Sequence, residues 1–196
     1  EVLQRGSPHP EHLEDKFYGF VFQDSDFSKW IEAVAYSLTQ YPDPELEKIA
    51  DGAIDIVCAA QQDDGYLDTY YIINGKDKIF TNLKDNHELY CFGHLTEGAF
   101  AYYQATGKDK LLKAAERFAD YIANYFGEEE GRCKGYPGHE IAEMALVRLY
   151  EVTGEERYLQ LSEFFINERG TQPYYFDIEQ NLKLTEKEKS ALRYQY

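Results

Sequence analysis

Residues 85–107 read DNHELYCFGHLTEGAFAYYQATG, a polar opening that runs directly into a helical pattern. In a helix, positions i, i+4 and i+7 share one face, so His87, Cys91 and His94 are predicted to point in roughly the same direction. The polar residues stand at the predicted helix start, where backbone N–H groups are unpaired and ligands are commonly bound. The segment therefore predicts either a ligand-binding helix start or, in the simpler alternative, polar residues that cap the helix and bond one another.

A repeated pattern surrounds this helix. The segment YQATGKDKLL at residues 103–112 recurs as YEVTGEERYL at residues 150–159, an offset of 47. In both copies the Thr-Gly pair is predicted to end one helix, and the acidic residue that follows is predicted to begin the next. A looser copy spans residues 36–46, with a Pro-Asp-Pro turn at residues 42–44. The chain is therefore predicted to hold three helical hairpins in series.

Six predicted helices make up these hairpins, at about residues 24–41, 43–62, 85–106, 109–126, 139–153 and 155–168. Asp24, Ser25 or Asp26 is expected to cap the first of them. The link near residues 63–86 carries an Asp-Gly turn and many β-branched and aromatic residues, so it predicts a long loop with a short hairpin.

Short turns within hairpins and long links between them distinguish the chain from a short-period solenoid. This alternation indicates an all-α fold of the α/α-toroid type, the (α/α)6 barrel. Such a barrel closes with six hairpins, so three hairpins make an incomplete one. The predicted organisation is an irregular N-terminal segment at residues 1–16, the half-barrel at 17–176 and a polar tail at 177–196. In the tail, Thr185 and Glu188 form a capping-box pattern.

Composition restricts the partners and the compartment. The chain has 20 Lys and Arg against 36 Asp and Glu, a net charge of −16, which argues against nucleic acid and against an anionic membrane surface. Aromatic residues make up 16% of the chain, which suits stacking on sugar rings and equally suits aromatic helix packing. The three cysteines, Cys58, Cys91 and Cys133, form no CxxC pair, so they predict reduced thiols and a cytoplasmic location.

A zinc site made by His87, Cys91 and His94 is disfavoured by geometry. Three ligands at i, i+4 and i+7 of one helix span about 10 Å along its axis. Zinc–ligand distances of about 2 Å cannot easily join both ends. A buried Cys91 thiol and a hydrogen-bonded His94 are the alternative.

Five longer segments, which together cover about residues 17–176, resemble the family 127 glycoside hydrolases, the β-L-arabinofuranosidases. They are FVFQDSDFSKWIEAVAY (20–36), QQDDGYLDTYY (61–71), DNHELYCFGHLTEGAFAYYQATG (85–107), GYPGHEIAEMALVRLYEVTGEERYL (135–159) and FFINERGTQPYYF (164–176). The resemblance implies an (α/α)6 barrel followed by β-sandwich domains, and retaining hydrolysis of terminal β-L-arabinofuranosides. It also implies a zinc-bound cysteine as the nucleophile and a glutamate as the acid/base.

The sequence departs from the family at its catalytic motifs. Neither the Glu-x-Cys nor the Cys-Cys zinc-ligand motif occurs in these 196 residues. No catalytic residue and no metal ligand is therefore predicted in this chain, while zinc is expected in the full-length family member.

The resemblance also implies substrate contacts. His87 in DNHELY and His139 in PGHE match histidines that line the sugar pocket of the family. Neutral imidazole can both donate to and accept from sugar hydroxyls. Asp24 and Asp26 in FQDSD could reach the same rim, meaning the end of the predicted barrel on which the long links lie. For His87 and His139 a helix cap is the alternative role, and for Asp24 and Asp26 a helix cap is the favoured one.

Three functions stay open on the sequence. The first is a glycoside hydrolase of which this chain supplies part of the sugar pocket; the second is a non-catalytic carbohydrate-binding or scaffolding half-barrel. The third is another α/α-toroid sugar enzyme that works with paired carboxylates or histidines. The expected ligands are L-arabinofuranose-containing oligosaccharides or glycans. Because a half-barrel leaves apolar faces uncovered, a homodimer or the remainder of the same protein is expected to cover them.

Overall fold

Helices make up the regular structure of this chain. The computed structural model describes residue 17 and residues 19–180, and in that range it contains no strand, apart from an isolated bridge between Phe126 and Cys133. The described helices are α1 (Asp24–Gln40), α2 (Pro44–Ala60), α3 (Thr69–Asn74), a 3-10 turn (Lys76–Lys78), α4 (Glu88–Thr106), α5 (Lys110–Tyr125), α6 (Ala142–Thr153), α7 (Glu156–Glu168) and α8 (Tyr175–Glu179). The all-α prediction is confirmed, and the six predicted helices end within three residues of their expected bounds.

Helix α4 is the centre of the molecule. It packs against α1 on one side and against α6 on the other, and α5 lies behind it. A Cβ atom at Gly98 would lie 2.6 Å from the carbonyl oxygen of Ser28, so α1 can approach this closely only because position 98 has no side chain. Helices α1, α4 and α6 therefore form one layer. Helices α2, α5 and α7 form a second layer behind it.

The core fills the space between the two layers with aliphatic and aromatic side chains. Phe92 of α4 meets Phe118 of α5 edge to face at 5.4 Å between ring centroids, and Tyr66 meets Phe118 in the same way at 5.3 Å. All three side chains are completely buried. Burial of a large apolar side chain stabilises a fold by about 1.5–3 kcal/mol, so this cluster fixes the two layers against each other.

The predicted turns within the hairpins are confirmed. Helices α4 and α6 end at Gly107 and Gly154, the glycines of the two Thr-Gly pairs. Helix α2 is capped by Asp43, whose carboxylate accepts from the backbone N–H groups of Glu45 and Leu46 at 3.1 Å each. Each of these turns and caps is determined by a few neighbouring residues, so the local sequence is enough to predict it.

Two local predictions are wrong. Residues 63–86 form no hairpin; they contain α3 and the 3-10 turn, because the Asp68 side chain accepts from Tyr71 N–H and caps a helix there. The predicted cap of α1 also fails, since α1 begins at Asp24 and the preceding Gln23 makes no side-chain cap bond.

The predicted domain bounds stay a prediction. Helix α8 was not predicted and crosses position 176, and residues 1–16, Thr185 and Glu188 lie outside the described residues. Among the described helices, none combines the length and the apolar character that a membrane span requires.

Candidate functional site

Two histidines meet at one end of the α1–α4–α6 layer. His87 directly precedes α4 and His139 lies three residues before α6, each at the end of a long link from the second layer. Their Nε2 atoms are 2.9 Å apart. The sequence predicted both residues at helix starts on the same rim, and the structure brings them into direct hydrogen-bond contact.

The hydrogen bonds of His87 decide which nitrogen carries its proton. Its Nδ1 lies 2.5 Å from the Asp85 carbonyl oxygen, which can only accept, so Nδ1 holds the proton. When His87 is neutral, its Nε2 carries a lone pair and can only accept. The hydrogen bond between the two rings is then donated by His139 Nε2–H. Burial, and then repulsion from the positive charge that His87 would carry when protonated, lowers the pKa of His139, which favours the neutral form of that imidazole. The Nδ1 of neutral His139 is therefore an acceptor.

His87 does not share a helix face with Cys91, contrary to the prediction. Its φ of 61° lies in the left-handed region, outside the helix, so the helical rotation does not apply to it. The neighbour of His87 on the α4 surface is Tyr90, edge to face at 5.6 Å between ring centroids. Cys91 is 3% exposed and is buried, and burial and nearby carboxylates raise the pKa of its thiol. The zinc triad is thus excluded.

Aromatic rings surround the histidine pair. Phe22 lies 5.1 Å from His87, and Tyr90 lies 5.4 Å from His139 and 4.5 Å from His94, the latter edge to face. Burial, and then the charge of Lys29, lowers the pKa of His94. The rim therefore presents imidazoles beside aromatic rings, and the lowered pKa values of His94 and His139 favour the neutral form of those two.

Buried carboxyl groups hold the link between α2 and α4 behind His87. Glu88 is 2% exposed; it accepts from Tyr66 Oη at 2.7 Å and from Phe80 N–H at 2.8 Å. Burial raises the pKa of Glu88 to about 8 although these donors lower it. Asn86 in turn donates to Tyr71 Oη at 2.6 Å. The residues before His87 are thus fixed from below.

Asp24 belongs to the same buried support. Its carboxylate accepts from Thr69 N–H at 2.7 Å and from Thr69 Oγ1 at 2.5 Å, and so joins the start of α1 to the start of α3. Asp68 is fully buried, and one of its oxygens has no hydrogen-bond partner. Burial, then the charges of Asp24 and Glu88, raises the pKa of Asp68. Asp26 is exposed on α1, away from this network.

Arg169 holds the link before His139. At the end of α7 it donates to the Pro137 carbonyl oxygen and to Glu143 Oε1, both at 2.9 Å. The two links also touch each other, since a Cβ at Gly138 would lie 2.5 Å from the Lys84 carbonyl oxygen. Sequence reasoning missed Glu88 and Arg169, because their partners lie in other parts of the chain, and it also missed Asp68. A cap signal at Asp68, directly before Thr69, was available.

In the part of the chain that the structure describes, the cysteines are not grouped with other metal-binding side chains. Cys58, Cys91 and Cys133 are free thiols, and burial raises the pKa of Cys58 to about 11. Within the described residues no group of three or more His, Cys, Asp or Glu side chains could hold a metal ion.

Comparisons with known proteins agree with the fold. The family model described as Beta-L-arabinofuranosidase, GH127 catalytic domain, matches residues 1–193. A non-reducing end beta-L-arabinofuranosidase of Bifidobacterium longum subsp. longum is 46% identical over 168 residues, which cover 84% of this chain and 26% of that protein.

Solved structures agree as well. The crystal structure of Ara127N-Se, a GH127 beta-L-arabinofuranosidase from Geobacillus stearothermophilus T6, superposes with a TM-score of 0.86 at 53% identity, over 92% of this chain and 28% of that one. The GH127 beta-arabinofuranosidase BT3674 gives a TM-score of 0.79 at 40% identity, over 87% of this chain and 28% of that one. This chain spans about a quarter of the length of these relatives. It belongs to the GH127 β-L-arabinofuranosidase catalytic-domain family.

Proposed function

We propose that the native-length protein, meaning the protein at the length its gene encodes, is a glycoside hydrolase that removes terminal β-L-arabinofuranosyl residues. In this proposal the present chain supplies one wall of the sugar pocket. The activities of the relatives support the substrate class. The native-length protein is further proposed to close the helical layers into an (α/α)6 barrel, with His87 and His139 on the inner rim.

The observation that carries the proposal is the contact between His87 and His139. Two imidazoles whose Nε2 atoms are 2.9 Å apart offer donor and acceptor nitrogens in a fixed arrangement. Sugar hydroxyls need both kinds of partner at short range. A hydroxyl that replaces the mutual bond can accept from His139 Nε2–H and donate to His87 Nε2. The aromatic ring of Phe22 beside His87 adds an apolar face for the sugar ring.

The chemistry of bond cleavage is assigned to other parts of the native-length protein. The family resemblance implies a zinc-bound cysteine nucleophile in a retaining mechanism. The described residues do not fit such a centre, since Cys91 is buried, Cys58 is partly buried, and the pKa values of both thiols are raised. The role of this chain is to bind and orient the sugar.

Asp24 and Asp26 stay weaker candidates for sugar contacts. Asp24 already accepts two bonds from Thr69, and Asp26 is exposed. A homodimer or the remainder of the protein is proposed to cover the exposed apolar side chains, such as Trp30 and Met144. The free thiols favour a cytoplasmic location.

The test uses purified native-length protein and chromogenic arabinofuranosides. We expect hydrolysis of the β-L-arabinofuranoside and much slower hydrolysis of the α-L anomer. His87→Ala and His139→Ala should each raise KM about tenfold, the equivalent of one or two lost hydrogen bonds, without unfolding the protein. Tyr41→Ala, at the exposed far end of α1, is the control of similar size. Unchanged KM in both histidine variants would remove the pair from the pocket.

The alternatives give different outcomes in the same assay. A non-catalytic binding protein would retain β-L-arabinofuranosides without releasing the chromophore. A different α/α-toroid sugar enzyme would prefer another glycoside and would keep its activity after zinc chelation.

A further inference from the structure

Lys29 stands out as an ammonium group placed beside the histidine rim. It lies on α1, one helical turn after Ser25, and is partly buried. Its Nζ donates to Tyr90 Oη at 2.8 Å and to Ser25 Oγ at 3.2 Å. No Asp or Glu oxygen of the described residues lies within salt-bridge distance of it. Both of its partners are neutral hydroxyls, although the chain carries 36 acidic residues.

This arrangement is not explained by stability. A partly buried ammonium loses hydration, and two hydroxyls compensate for it less well than a carboxylate does. Arg148 of α6 shows the contrast, because it pairs with Glu97 at 2.7 Å. A partly buried lysine that, among the described residues, bonds two hydroxyls and no carboxylate points to a role in the site.

Tyr90, the partner of Lys29, is the point at which the rim side chains meet. Its ring touches His87 at 5.6 Å, His139 at 5.4 Å and His94 at 4.5 Å between centroids. A tyrosine ring can rotate about χ1 and χ2, and the hydrogen bond at its far end removes that freedom. The position of one hydroxyl thus restrains three imidazoles.

We propose that Lys29 is a positioning residue: it fixes the hydroxyl of Tyr90, and the Tyr90 ring holds His87, His139 and His94 in the orientation in which they receive the sugar. This inference rests on the proposed function, because it assigns a role within the same sugar site. Lys29 acts through Tyr90, so the two residues form one unit. Ser25 is the second anchor of the ammonium and contributes less.

The kinetic test is a double-mutant cycle in the native-length protein. Lys29→Met and Tyr90→Phe should each lower kcat/KM for the β-L-arabinofuranoside by about 10- to 100-fold, the range expected when reacting groups are misplaced by about 1 Å. The double variant should be no worse than the poorer single variant, since the two residues act as a unit. Lys29→Arg should restore most of the activity, because it keeps the charge and the donors. Lys113→Met, at an exposed lysine of α5, is the matched control.

The second readout does not depend on activity. Histidine NMR titration should show the His94 pKa rising in Lys29→Met, because the cation that lowers it has gone while Glu32 on α1 still raises it. In Lys29→Arg it should stay near the parent value. The parent protein must also keep separate, sharp imidazole signals that broaden in Lys29→Met.

The two proposals fail in distinguishable ways. If the parent protein does not cleave the β-L-arabinofuranoside, the proposed function fails, and the titration alone decides the role of Lys29. Three outcomes would each overturn the positioning role. They are additive losses of kcat/KM in the double-mutant cycle, an unchanged kcat/KM in Lys29→Met, and a His94 pKa that does not change when the charge at position 29 is removed. If Lys29→Met does not fold, Tyr90→Phe and Lys29→Arg give the same decision.

Discussion

Glu88 offers the sharpest test of how the rim is supported, through the substitution Glu88→Gln. One carboxyl oxygen accepts from Phe80 N–H and the other from Tyr66 Oη. Glutamine can keep both contacts. Its carbonyl oxygen faces Phe80 N–H, and the Tyr66 hydroxyl rotates to accept from the new amide N–H. The substitution therefore removes a buried charge and changes little else.

The sign and size of the effect follow from linkage. Burial raises the pKa of Glu88 from its ordinary 4.5 to about 8, so the folded protein binds the proton more tightly than the unfolded chain. Below pH 4.5 both states are protonated and the group costs nothing. Between pH 4.5 and 8 the unfolded chain ionises first and the parent protein loses stability, by about 5 kcal/mol in all at about 1.4 kcal/mol per pKa unit. Above pH 8 the loss is constant.

The assay is urea unfolding of parent and Glu88→Gln proteins from pH 4.5 to 9. The two free energies of unfolding should be similar near pH 4.5, and the variant should be more stable by up to about 5 kcal/mol at pH 8 and above. Glu151→Gln removes the same charge from the exposed surface of α6 and serves as the control. If the difference in the free energy of unfolding between the parent protein and Glu88→Gln stays constant across this pH range, Glu88 is ionised throughout. That result would refute the reasoning.

Three further outcomes are expected. Gly98→Ala should lower the free energy of unfolding by about 1–3 kcal/mol, since its Cβ would meet the Ser28 carbonyl at 2.6 Å; a variant as stable as the parent in urea would contradict the close packing of α1 on α4. Asp43→Ala should cost about 1 kcal/mol through loss of the α2 cap, measured as a lower Tm, whereas Asp77→Ala should not. The lowered pKa of His139 keeps it neutral as pH falls to its ordinary 6.5, so KM should stay level from pH 8 to 6.5 and rise only at lower pH; a rise that begins above pH 7 would contradict this assignment.

The sequence predicted well wherever the cause of a structure is local. The 3.6-residue period and the two Thr-Gly pairs located the six long helices, and the Pro-Asp-Pro segment located the turn before α2. The link at 63–86 was predicted wrongly because its β-branched and aromatic residues were weighed above the single capping signal of Asp68. Propensity in so short a segment decides less than one satisfied cap does.

The site was predicted in part. The family motifs selected His87 and His139, and helix geometry placed them on one rim. Their direct contact depends on the left-handed backbone conformation of His87. The residue type at position 87 does not predict that conformation. The role of Asp24 depends on Thr69, 45 residues away, and that of Glu88 on Tyr66 and Phe80. Contacts of this range are set by packing between layers, so a sequence pattern does not carry them.

The charge state of the rim links its structure to its ligand. The chain as a whole carries −16, yet burial raises the pKa values of Glu88 and Asp68 and lowers those of His139 and His94. At neutral pH each of these shifts favours the uncharged form of its group. A site of neutral donors and acceptors suits an uncharged polyol, whose hydroxyls gain no advantage from a net charge. The ammonium of Lys29, by contrast, is a charged group beside these histidines. We therefore expect its removal to change the orientation and the pKa of the histidines and to leave the free energy of unfolding nearly unchanged.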